Sequence, residues 1–176
     1  QAGYKVGEML NLFTRQLQDA LSPAAASLGA RGDREGLRQL LLQSSRLTLL
    51  VSTPLYALSA VYLKPLIRLL TGLESIPEAV TWSGHLLLLA VYSSQLTNSC
   101  SKRIMMMSGH DRYLLKVTLA EAIGNVSLSL ALVFALRSIV GVAAGTLLPT
   151  LVFGWCLILP KALRSAEVGA LGYLRF

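Results

Sequence analysis

Glu121 and Asn125 stand one helical turn apart inside LLKVTLAEAIGNVSLSLALVFAL, an apolar run from Leu114 to Leu136. At a rise of about 1.5 Å per residue this run is long enough to cross the hydrocarbon layer of a membrane as one helix. An acidic residue at mid-helix costs roughly +2.5 to +3.5 kcal/mol on insertion scales, so a helix that keeps one turns it towards other helices or a wet cavity. The chemistry on offer is charge and hydrogen bonding in a polar interior. Glu121 is a candidate for coupling to an ion or proton, and Asn125 for contacting a polar substrate. The plainer reading of the same residues is an interhelical hydrogen bond that only fixes packing.

A second polar set lies in the preceding apolar stretch. Ser93, Ser94, Gln95, Thr97, Asn98, Ser99 and Ser101 cover more than one face of a helix, so part of the set must meet other helices or water. Gln95 and Asn98 join the cavity candidates. His85 reads as a hydrogen-bonded structural residue, Met105, Met106 and Met107 as packing at a helix end, and Cys100 and Cys156 as small hydrophobes. No Ser-His-Asp, Cys-His, paired-carboxylate or phosphate-cradling glycine motif stands out, so no catalytic residue, metal ligand or cofactor is expected.

Composition fixes the solvent of the elements that hold these residues. The chain is 53% hydrophobic and 14% charged with a mean hydropathy of +0.57. A soluble domain carries about 25% charged residues, so an integral membrane protein is expected. The formal net charge of +7 falls in short clusters between apolar spans without interleaved aromatics. That pattern argues for anionic membrane lipids and against nucleic acid.

The pattern is all-α: a polytopic transmembrane bundle of about five helices in a single domain over 1–176. The helices are expected over about 3–28, 47–70, 79–101, 113–136 and 139–162. The first is amphipathic, with Val6, Leu10, Phe13, Leu17 and Leu21 on one face, and the other four are clear spans. A small-residue loop follows Pro23, and a short amphipathic surface helix runs from Leu37 to Arg46. Pro54 and Pro149 are expected to kink their spans, Arg137 and Ser138 to make a very short connection, and Gly141, Ala143, Ala144 and Gly145 to form a close-packing face. Arg31, Arg34, Arg38, Arg46, Lys102, Arg103, Arg112, Lys116, Lys161, Arg164 and Arg175 fall on one side of such a bundle. Only Lys64, Arg68 and Arg137 fall on the other, a bias that places the first side in the cytoplasm.

Three stretches carry a resemblance. They are the Pro, small-residue, Ala-x-Gly-Asp run at Pro23 to Asp33, a basic-to-glycine turn leading into an Asn-bearing span at Gly109 to Asn125, and the Gly-x-Ala-x-Gly-Thr span start at Gly141 to Thr146. In this order they resemble the C-terminal half of a polysaccharide-biosynthesis flippase, of the O-antigen, teichoic acid and lipid II type. That type belongs to the multidrug, oligosaccharidyl-lipid and polysaccharide exporter superfamily.

The resemblance implies a bacterial inner-membrane protein of about twelve to fourteen helices in two lobes, of which this chain is a piece of the second, working by alternating access. The substrate it implies is an undecaprenyl-diphosphate-linked oligosaccharide, moved from the cytoplasmic to the outer leaflet, with polysaccharide polymerase or glycosyltransferase proteins as further partners. Lys5 and Arg15 would then line the cavity as diphosphate or sugar contacts. On their own, Lys5 reads equally well as snorkelling to the interface and Arg15 as pairing with Asp19 or Glu8. Two other readings stay open: a multidrug and toxin extrusion antiporter, and a small non-transporting module of a polysaccharide synthesis complex.

Overall fold

The computed structural model describes residues 23–165 apart from positions 25, 73 and 108. Lys5 and Arg15, with most of the expected first helix, lie outside the described residues. Within them the chain is helical and has no strand. The elements are α1 (Arg34–Val61), α2 (Leu63–Thr71), α3 (Glu78–Met107), α4 (Asp111–Leu136), α5 (Val140–Leu151), a π-helical segment (Val152–Ile158) and α6 (Leu159–Ser165).

Asp33 starts α1 by accepting the Gly36 N–H on its Oδ1 at 2.9 Å, which satisfies one orphan donor of the first turn. The surface helix and the first span expected from sequence are therefore one continuous element. The sharp break falls at Tyr62, where α1 and α2 diverge by 75°. Pro54 lies inside unbroken helix. The bend belongs instead to Pro65, which has no N–H to offer the Val61 carbonyl, so the ladder fails across that turn. Tyr56, Leu63, Ile67 and Leu88 pack the elbow.

Two helices, Asp111–Leu136 and Val140–Ser165, are long and apolar enough to cross a membrane, and the bent pair α1–α2 makes a third if counted as one span. The four apolar spans expected from sequence are thus met in part. α3 is helical throughout the expected interval, but its polar second half lowers its hydropathy. It is also the helix that touches every other element, so the most polar long helix is the central one.

Burial is inverted relative to a soluble bundle. On α1 the buried positions include Ser44, Ser45, Thr48, Ser52 and Ser59, while Leu50 and Val61 are 70% and 76% exposed. On α4, Leu115, Leu119, Ile123, Val126, Leu130 and Phe134 all face outward, whereas Glu121 and Asn125 are half-buried. Apolar residues outside and hydroxyl groups inside suit a helix bundle solvated by lipid tails, where small polar residues hold helices together.

Arg137 closes α4 in the left-handed region, with φ of 44°, and its N–H returns to the Val133 carbonyl. The short connection folds α5 back on α4. A Cβ on Gly141 would lie 2.7 Å from the Leu132 backbone, and one on Gly145 would overlap the Ser129 backbone. The small-residue face read from the sequence is the α4–α5 contact. Beyond Pro149, a residue that removes an N–H from the ladder, the helix widens into the π segment.

Candidate functional site: a polar junction of α3, α4 and α5

Ser93, Thr97 and Ser101 recur every four residues on one buried face of α3, and Gln95 is buried on another. Thr97 turns its hydroxyl back onto the Ser93 carbonyl at 3.0 Å. The π segment is fitted to this face: Gly154 leaves room for Thr97, whose Oγ1 would stand 2.5 Å from any Cβ there, and Trp155 Nε1 donates to Ser93 Oγ at 2.9 Å. On the far side of the π segment Tyr113 donates to the Leu157 carbonyl at 3.4 Å, and the Lys161 ammonium lies 5.7 Å from the Tyr113 ring centre.

On α4, Asn125 Oδ1 accepts from Ser129 Oγ at 3.2 Å and from Thr146 Oγ1 at 3.3 Å, the second across to α5. Both hydroxyls also reach the Val142 carbonyl, at 3.4 and 3.0 Å. Asn125 is therefore the acceptor at the centre of a small interhelical network.

Glu121, one turn earlier, meets Lys102 of α3, with Nζ 3.8 Å from Oε2 and side chains 29% and 15% exposed for the lysine and the glutamate. By the helical rise, Glu121 stands about 15 Å into α4 and Lys102 about 7 Å from the end of α3, so the flexible lysine stem spans the difference. A charge-assisted N–H···O bond is about 2.7–2.9 Å long, so this pair attracts through space without a tight hydrogen bond.

The structure thus sets Glu121 against α3 and Asn125 against α5, while Gln95 is buried and already partnered on another face of α3 from Ser93 and Thr97. The Asn98 side chain lies outside the described residues, as do Lys5 and Arg15. Lys102 is the residue the sequence placed elsewhere, among the cytoplasmic-side cations just past the helix expected over 79–101. α3 continues through Met107, and Met105 is completely buried against Val117, Ile158 and Ala162. The signal that could have found Lys102 is Glu121 itself, because an embedded carboxylate needs a cation and Lys102 is the first basic residue after the apolar part of the neighbouring helix. Ser129, Thr146 and Trp155 were also passed over.

His85 sits apart, at the elbow. Its Nδ1 is 2.9 Å from the Thr81 carbonyl and its Nε2 is 3.1 Å from the Ala60 carbonyl, which ties α3 to the end of α1. Among the described residues no group of three or more His, Cys, Asp and Glu is placed to hold a metal ion.

No protein-family model matches the chain, and comparison with curated proteins and with solved structures finds no match.

Proposed function

We propose that this chain is part of an alternating-access transporter of the bacterial inner membrane that moves an undecaprenyl-diphosphate-linked oligosaccharide to the outer leaflet. The observation that carries the reading is the Lys102–Glu121 pair, a mostly buried opposite-charge contact between two helices. Charges kept inside a membrane bundle mark substrate or ion paths, and a cation that can be won from its carboxylate suits a diphosphate. The hydroxyl and amide groups of α3 and α4 offer the partners a sugar needs where lipid supplies none. In this scheme the diphosphate takes Lys102, and Glu121, released, takes up the coupling ion or proton. The sequence resemblance supports the same substrate.

The multidrug-antiporter reading would use Glu121 to bind a cationic drug, but Lys102 already neutralises that carboxylate. Transport assays on the purified protein in proteoliposomes separate the readings. Translocation of a lipid-linked oligosaccharide, inhibited by free undecaprenyl diphosphate, supports the flippase. Uptake of a cationic dye without glycolipid movement supports the antiporter, and neither activity supports the small non-transporting module.

A further inference from the structure

Two cavities share His85 as a wall. One, of about 320 Å³, lies between α1 and α3 against Tyr56, Ala57, Ala60, Leu88 and Tyr92. The other, of about 530 Å³, opens at the elbow and is walled by Lys64, Glu78, Thr81 and Trp82. Both volumes lie in or near the range of small-molecule sites.

The two differ in chemistry. The elbow cavity has one cation and one anion, Lys64 and Glu78, and among the described residues neither forms an ion pair with the other or with a third group. Thr81 on its wall is buried, with a hydroxyl that has no hydrogen-bond partner. Trp82 is 64% exposed beside it, in the amphipathic position that tryptophan takes at a membrane interface. Past His85 the walls turn aromatic and aliphatic, and the buried Tyr56 hydroxyl there is also unpartnered.

We propose that the two cavities flanking His85 together bind a phospholipid of the phosphoethanolamine type. Lys64 takes the phosphate, Glu78 takes the primary ammonium, and one acyl chain passes His85 into the cavity lined by Tyr56 and Leu88. An unpaired cation and anion facing one space match a dipolar head better than a singly charged one. A primary ammonium donates three hydrogen bonds to a carboxylate and its neighbours, whereas a quaternary choline donates none and is favoured by a cage of aromatic rings, of which this wall has Trp82 alone among its tryptophans and tyrosines. A glycerol head without the ammonium would leave Glu78 facing a phosphate. The proposal requires only that the chain lie in a bilayer, and it is independent of what the protein transports.

The test uses Trp82 fluorescence of the purified protein in a Trp155→Phe background, titrated with short-chain phosphatidylethanolamine, phosphatidylcholine, phosphatidylglycerol and free phosphoethanolamine. The expected result is a phosphatidylethanolamine affinity at least tenfold above the other two lipids. Lys64→Gln weakens all three lipids, and Glu78→Gln removes the preference for ethanolamine over choline. Ala57→Phe, at an exposed wall position, weakens the lipid at least fivefold but leaves free phosphoethanolamine unchanged. Equal affinity for the three lipids, or a preference that survives both Lys64→Gln and Glu78→Gln, overturns the head-group assignment. Free phosphoethanolamine binding as tightly as the lipid overturns the chain's place in the second cavity.

Discussion

Gly145 of α5 rests directly on the backbone of Ser129 in α4, so closely that a methyl group at residue 145 would overlap it. Four residues earlier Gly141 repeats the relation against Leu132. Together they set the distance between the two most apolar helices of the chain.

Gly145→Ala is therefore expected to destabilise the protein by about 1–3 kcal/mol, the range for forcing extra volume into a closed contact. Gly124→Ala is the internal control. A Cβ there meets Phe153 at an ordinary 3.7 Å, and alanine is the better helix former by about 1 kcal/mol. Thermal unfolding in detergent should rank Gly124→Ala at or above the parent and Gly145→Ala clearly below it. The reverse order would show that α4 and α5 do not meet at this distance.

Asn125 joins Ser129 and Thr146, yet both hydroxyls keep the Val142 carbonyl as a second acceptor. Asn125→Leu should thus cost no more than about 1–2 kcal/mol, since interhelical hydrogen bonds in membranes average about 0.6 kcal/mol each. A larger loss in denaturant unfolding would mean that Asn125 holds more than these two bonds.

His85 bridges α3 to the Ala60 carbonyl at the point where α1 breaks. His85→Phe keeps a planar ring and removes the bridge. Spin labels at the exposed Leu69 and Leu89 are expected to give a broader distance distribution in this variant than in the parent. Identical distributions would show that the elbow is held by the packing of Tyr56, Leu63, Ile67 and Leu88 alone.

These relations show which parts of the molecule could be read from residues alone. Periodicity marks the helices, the left-handed turn at Arg137 falls between two apolar runs, and the Gly141–Gly145 face announces a close contact because no other residue types permit one. Glu121 and Asn125 stand out because an apolar helix has no local reason to keep them. Three features depended on tertiary contact. Lys102 looked like a loop cation, since nothing in RIMMM says that the helix continues. The bend moved from Pro54 to the turn before Pro65, where a carbonyl loses its donor and His85 takes the neighbouring one. The π segment after Pro149 is registered by Thr97 and Ser93 on α3, far away in sequence.

The Lys102–Glu121 pair also has a stability signature. Removing one member leaves the other charge in a poor solvent, and removing both does not. Lys102→Met alone should destabilise more than Lys102→Met with Glu121→Gln, with a coupling energy of about 0.5–3 kcal/mol in a double-mutant cycle. Additive effects would mean that the two side chains do not interact in the membrane.

Under the proposed function, this pair works in transport and does more than join α3 to α4. Its most direct test is translocation of a lipid-linked oligosaccharide into proteoliposomes by the double variant Lys102→Met, Glu121→Gln, with thermal unfolding measured on the same preparation. A transport role predicts near-parental unfolding together with at least a tenfold loss of translocation. Parental translocation by this neutral pair would contradict it and leave Lys102 and Glu121 as a packing contact.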